Sequence, residues 1–147
     1  MTMQRDLHNE IVVRRLISPQ AGAGDNTAQV SQIIDMQGFD GLEILIATGT
    51  VADADATFTV LVEHGEVSNL SDAAAVPDSM LIGTETTAAF QFGDDDAVRK
   101  LGYKASTGKR YVRLTITPAA NTGTWGICAV GVLFSAHRLA TISQADA

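Results

Sequence analysis

Lys109-Arg110-Tyr111-Val112-Arg113-Leu114-Thr115-Ile116-Thr117 is the stretch that decides the fold. Val112, Leu114 and Ile116 alternate with Tyr111, Arg113, Thr115 and Thr117, which is the period of a strand with one face in a core and one in solvent. A slip of one residue would bury Arg113, so the register is strongly specified. Thr57-Phe58-Thr59-Val60-Leu61-Val62-Glu63-His64 repeats the pattern, with Phe58, Val60 and Val62 on one face and Thr57, Thr59, Leu61 and Glu63 on the other. Its β-branched and aromatic content suits a half-buried pleated surface.

Further strands are expected at Ile11 to Ile17, Ala28 to Asp35, Leu42 to Thr48, Thr86 to Phe92, Val98 to Lys104 and Trp125 to Phe134. The gaps hold turn residues: Gly22-Ala23-Gly24-Asp25-Asn26, Gln37-Gly38-Phe39-Asp40-Gly41, Gly93-Asp94-Asp95-Asp96 and Ala119-Ala120-Asn121-Thr122-Gly123. Ser106-Thr107-Gly108 predicts a hairpin between Val98 to Lys104 and the deciding strand, which Pro118 ends because it cannot donate to a ladder. Short strands at this spacing, without long amphipathic helices between them, predict an all-β fold: an antiparallel β-sandwich, jelly-roll-like, with at most one or two short helical turns. Ser71-Asp72-Ala73-Ala74-Ala75, stopped by Pro77, is the expected helical turn. The 147 residues suit a single domain, residues 1–147, with an N-terminal arm over 1–18 and a flexible C-terminal tail over 136–147.

The composition excludes several classes. A hydrophobic fraction of 46% is far above that of a disordered chain. No apolar run approaches the roughly 18 residues of a membrane span, so no membrane partner is expected. The formal charge is −7, and residues 16 to 98 hold 14 of the 17 acids and not one Lys or Arg. Phosphate binding needs a continuous cationic face, so nucleic acid is not the expected partner either. The first ten residues lack a secretory apolar run, and a chain that stays in the cytosol or leaves by lysis is expected. Cys128 is alone within Ile127-Cys128-Ala129-Val130, so packing must supply the stability.

Trp125 to Phe134 is apolar on both faces. It is either central in a core with extra cover from its own chain, or covered by another subunit. On the second alternative Trp125, Ile127, Val130, Val132 and Phe134 are the candidate oligomer interface.

Catalytic patterns are not found. The chain has no G-x-S-x-G, Walker, H-E-x-x-H, C-x-x-C or G-x-G-x-x-G motif. His8, His64 and His137 lie in separate segments, and His64, at a strand end beside Gly65, is expected to be solvated. Asp94-Asp95-Asp96 offers three hard oxygen donors to a divalent cation, but consecutive side chains diverge and the spacing is not that of a calcium loop. A solvated turn is the expectation there and at Asp53-Ala54-Asp55. No catalytic residue, metal site or cofactor is expected, and no enzymatic activity.

Charge does nominate contacts. Arg99, Lys100, Lys104, Lys109, Arg110 and Arg113 put six cations into 15 residues. They form either ordinary ion pairs on a solvent face or a basic band that docks on an acidic protein surface. Arg14 and Arg15 interrupt an apolar run, as an edge strand or an arm lying on a partner would allow.

The runs Ile33-Ile34-Asp35-Met36-Gln37-Gly38-Phe39-Asp40-Gly41-Leu42-Glu43, Thr57 to His64 and Arg110 to Pro118 resemble small proteins encoded among the head genes of tailed bacteriophages and prophages, over roughly residues 30 to 135. The motifs are strand patterns, so no functional residues carry over. The resemblance implies a virion structural protein: a capsid decoration (cement) protein on the capsid surface, made in the host cytoplasm, with the major capsid protein and copies of itself as partners. It also implies trimers. The alternatives are a head-tail connector or tail-associated protein, and a carbohydrate-binding sandwich on the virion, which would need exposed aromatics.

Overall fold

A computed structural model describes residues 6–22, 24–105 and 108–137. The strands are Val12–Gly22 (β1), Gln29–Val30 (β2), Ile34–Asp35 (β3), Phe39–Val51 (β4), Thr57–Gly65 (β5), Ala74–Ala75 (β6), Leu81–Ile82 (β7), Phe90–Gln91 (β8), Val98–Lys104 (β9), Tyr111–Ala119 (β10) and Trp125–Ala136 (β11). One short helix, Glu85–Ala88 (α1), and a 3-10 turn at Asp78–Met80 interrupt them. Five strands form the first sheet in the order β1-β11-β4-β9-β7. The second runs β2-β10-β5-β6, with β3 also on β10 and β8 also on β5. Every pairing is antiparallel. The chain is an antiparallel β-sandwich of two packed sheets.

The deciding strand buries the face its alternation dictates, but Pro118 does not end it: β10 runs on to Ala119, with Pro118 opposite Phe58. Val112, Leu114 and Ile116 of β10 are buried opposite His64, Val62 and Val60 of β5. Leu42, Ile44 and Ile46 of β4 and Leu101 and Tyr103 of β9 face them from the first sheet. An aromatic cluster closes one end of this core: Phe58 stacks on Phe90 and tilts against Trp125, both at 4.6 Å between centroids.

Four local expectations fail for physical reasons. Val98 to Lys104 and the deciding strand form no hairpin, because β9 pairs with β4 and β7 while β10 pairs with β5, β2 and β3. Both strands have an apolar face to bury, and they bury it against each other across the sandwich. The turn at Gly108, with φ of 78°, therefore joins two layers instead of two neighbours. Ala28 to Asp35 is broken into β2 and β3 by buried Ser31, whose hydroxyl accepts from the Leu114 N–H at 2.9 Å.

Ser71 to Ala75 is not helical. The Asp72 carboxylate accepts from Glu66 N–H (2.7 Å) and Val67 N–H (3.2 Å), closing the turn that leads to β6. Thr86 to Phe92 is not one strand. Thr84 caps α1 by accepting from Thr87 N–H at 3.0 Å, and Glu85 accepts from Val62 N–H at 2.7 Å. That bond satisfies a donor on the edge of β5 between the short stretches covered by β8 and β6.

Gly22 pairs with Trp125, and a Cβ at Gly22 would overlap the indole ring. Gly22→Ala should therefore cost about 2 kcal/mol as an overpacking change, lowering Tm by about 4–8 °C. Thermal unfolding followed by circular dichroism measures it, and an unchanged Tm would show that the ring can move aside.

Candidate functional site

The two outer faces of the sandwich differ in chemistry. On the second sheet, Thr57, Thr59, Leu61 and Glu63 of β5 stand beside Tyr111, Arg113, Thr115 and Thr117 of β10, an ordinary solvated surface. On the first sheet β11 is central, between β1 and β4, so its second apolar face points outward. The registers set its neighbours in rows. Arg15, Val130, Leu45 and Lys100 make one row; Val13, Val132, Glu43, Gly102 and Ile82 make the next. Cys128, Ala47 and Val98 lie on one side of these rows, and Phe134, Gly41 and Lys104 on the other. The Phe134 ring folds over Gly41. Val13, Ile82 and Val98 are exposed, at 44%, 57% and 67%.

The proposed interface set is therefore divided. Val130, Val132 and Phe134 lie on this outer face, half-buried. Trp125 and Ile127 do not: they face the core at 1% and 4% exposure, so they cannot touch a partner in the folded chain. A groove of about 760 Å³ separates the face from the N-terminal turn, between Leu7 and Ile11 on one wall and Leu45, Val132 and Phe134 on the other.

The six cations of the 99 to 113 stretch are split between two sheets and do not form one band. Four of them pair within the chain. Arg99 meets Asp94 (2.9 Å), Lys109 reaches Glu66 (3.9 Å) and Arg113 meets Glu63 (2.9 Å). Arg110 grips both oxygens of Asp35, at 2.8 and 2.7 Å, and lies over the Tyr111 ring. That guanidinium holds the Asp35 carboxyl below its ordinary value. Lys100 and Lys104 project from the first sheet and form no ion pair among the described residues.

Arg14 and Arg15 belong to an edge strand, not to a free arm, since β1 pairs with β11 from Val12 onward. The Arg14 guanidinium donates to Val13 O at 3.2 Å, and Arg15 donates to the Ser18 hydroxyl at 2.8 Å. Both line a cleft of about 380 Å³ with Gln32, Gln37 and Asp35. The expected tail from Ala136 begins within the described residues only at Ala136 and His137; residues 138–147 lie outside them.

The acidic turns are built into the fold. Asp94 accepts from Gln91 N–H (2.9 Å), Asp95 accepts from Val51 N–H (2.9 Å) and Asp96 sits at φ of 52°. Thr48 ties this loop down, donating to Asp94 O and accepting from Ala97 N–H. Asp53 accepts from the Thr122 N–H and hydroxyl, both at 2.7 Å. Among the described residues, no three His, Cys, Asp or Glu side chains gather into a metal-binding group.

His64 corrects the expectation of a solvated side chain. It is 5% exposed, and its Nδ1 lies 3.0 Å from the Tyr103 hydroxyl of the opposite sheet. The cause is the pleat: Glu63 points outward to Arg113, so the next residue must point inward. Burial pushes the Tyr103 hydroxyl up to about 12, and burial together with the charge of Lys109 lowers the His64 imidazole.

Fold and site together define a β-sandwich that solvates one outer face and leaves the other apolar. No protein-family model matches the chain, and no curated protein matches it. Among solved structures, the chain is similar to VP2 of infectious bursal disease virus in its subviral particle, with a TM-score of 0.53 at 9% identity. The match covers 84% of this chain and 32% of that one, so the chain spans about a third of its viral neighbour's length. Weaker likenesses include the SPBc2 prophage-derived protein YomS (TM-score 0.47, 10% identity, 86% of this chain and 94% of that one) and the xylan-binding module CBM15 (0.43, 13%, 86% and 98%). At these identities the likeness is one of fold.

Because the folded chain holds the His64 imidazole below its ordinary 6.5, the unfolded chain takes up the proton first. Stability should fall as pH drops through that value. Urea unfolding at about pH 7.5 and about pH 5.5 should show His64→Gln losing less stability than the unaltered chain over that interval. Equal losses would mean that His64 is not the group responsible.

Proposed function

We propose that this chain is a virion structural protein, a subunit that decorates the capsid surface of a phage head and has no enzymatic role. The observation that carries the reading is the apolar outer face of the first sheet, which a free sandwich would have no reason to keep. Two further points support it. The sandwich fold is shared with a chain of a viral particle, and the strand motifs resemble phage head-region proteins.

The partners in this reading are the major capsid protein and copies of the chain itself. Of the nominated cations, Arg15, Lys100 and Lys104 are the contacts it retains, because they border or project from the apolar face, whereas Arg14 lies on the opposite side of β1, across from Gly131. Arg99, Lys109, Arg110 and Arg113 are engaged inside the chain. A shell presents many equivalent sites, so modest contacts suffice for stable coverage when subunits also touch one another. A glycan-binding role draws little from the aromatic residues: Trp125 and Tyr103 are buried and Tyr111 lies under Arg110, which leaves Phe92 exposed just after β8 and Phe134 half-buried on β11.

Quantitative gel densitometry of purified virions should find hundreds of copies per particle. A handful would assign the chain to the connector or tail, and none would overturn the virion reading. Arg15→Glu with Lys104→Glu should lower occupancy on heads by about tenfold without changing Tm, and unchanged occupancy would remove these residues from the contact.

A further inference from the structure

We infer that the outer face of the first sheet is where two copies of this chain meet face to face, related by a two-fold axis. This rests on the proposed role of that face as an association surface, and it names the occupant.

The first argument is how the molecule treats its other associating surfaces. Sheet edges are the usual route by which β proteins join, and here they are blunted: β2, β3, β6, β7 and β8 are two residues each. Two longer edges remain: β9 is covered by β7 only at Gly102 and Tyr103, and on β1 the Arg14 guanidinium occupies Val13 O while the backbone N–H of Gln32 occupies Leu16 O at 3.0 Å. The second sheet's outer face is polar apart from Leu61 and Val30. Association is left to the apolar face.

The second argument is that this face complements itself. A two-fold lying in the face, perpendicular to the strands and midway between the Leu45 row and the Glu43 row, exchanges the two rows. Val130 of one copy then covers Val132 of the other, and Val132 covers Val130. Lys100 of one copy meets Gly102 of the other, with Glu43 beside it. Ile82 and the Glu43 carboxylate already stand over Gly102, with Ile82 Cβ 3.0 Å and Oε2 3.1 Å from where a Cβ would stand, so the lysine meets the carboxylate above that glycine and not in a vacant space. Neither Glu43 nor Lys100 forms an ion pair among the described residues. The operation thus supplies each unpaired charge with its opposite, twice per dimer, around an aliphatic centre.

The third argument is area. Strands about 4.8 Å apart, with about seven residues each at about 3.3 Å, give a footprint of roughly 500 Å² per copy. The N-terminal turn that faces Leu45, Val132 and Phe134 takes part of this area, so two copies bury at most roughly 1,000 Å², the size of a weak, transient interface. The result is a reversible dimer, not an obligate one.

Size-exclusion chromatography with light scattering, from low to high micromolar concentration, tests this with charge variants. The unaltered chain should move from monomer to dimer. Glu43→Lys alone and Lys100→Glu alone should each raise the midpoint concentration at least tenfold, and the double variant Glu43→Lys with Lys100→Glu should return it to within about threefold of the original. Val130→Lys should abolish the dimer while its circular dichroism and Tm stay unchanged, since that side chain lies outside the core. A chain that stays monomeric, a trimer, or a double variant no better than the singles would overturn the inference. Dimers that fail to bind heads would leave it standing and overturn the virion reading. Monomers that coat heads would do the reverse.

Discussion

Side chains on a strand alternate, and β11 is where that constraint acts on the whole molecule. Trp125, Ile127, Ala129 and Leu133 supply a continuous part of the core. The residues between them must then face the other way, and in this chain they are Cys128, Val130, Val132 and Phe134. Placing β11 between β1 and β4 gives it ladder partners on both sides and puts its outward residues in the middle of a surface. Core packing and the apolar outer face are two consequences of one strand. Neither can be altered by a shift of register without exchanging their roles.

The same logic explains why charge is a poor guide to the surface that matters. The 99 to 113 stretch is dense in cations along the chain, but the chain crosses from one sheet to the other between β9 and β10. Arg113 meets Glu63 because those residues are register partners on the polar face, and Arg110 meets Asp35 because β3 lies on the other side of β10. Exposed pairs of this kind contribute little stability each. Their effect is to neutralise the second sheet's outer face. Lys100 and Lys104, from the same stretch, end on the opposite side of the molecule.

Much of the fold was legible from residues. Val112, Leu114, Ile116, Phe58, Val60 and Val62 announced their faces because an apolar set alternates with a set that is polar but for Leu61. The hairpin was not legible, because Ser106-Thr107-Gly108 is a turn signal that serves a crossing between sheets as well as a link between neighbours. Nor was α1: Thr86 and Thr87 favour strands by propensity, and what overrides them is a cap from Thr84 and a distant N–H on Val62 that needs an acceptor. His64 was misplaced by one position of the pleat. Of the candidate interface, Val130, Val132 and Phe134 were legible as part of a two-faced strand. Trp125 and Ile127 were not separable from them, because both halves of the alternation are apolar and nothing in the strand itself says which half faces inward. Pairing supplies that answer: Gly22 lies opposite Trp125, and only an inward indole finds Phe58 and Phe90.

A face that is apolar at its centre and carries single charges of both signs nearby also limits how tightly it binds. Association spends free energy on lost translation and rotation before any contact counts. A small interface therefore holds weakly in solution and more firmly where copies are already side by side. In the proposed role on a capsid shell, neighbouring sites would supply that proximity, and the effective concentration would replace affinity built into each contact. A stronger patch would join newly made chains to one another before they reached a surface. The paired Arg and Glu residues of the polar face and the two-residue edge strands act against that outcome, while Val13, Ile82 and Val98 leave apolar exposure on the first sheet's outer face.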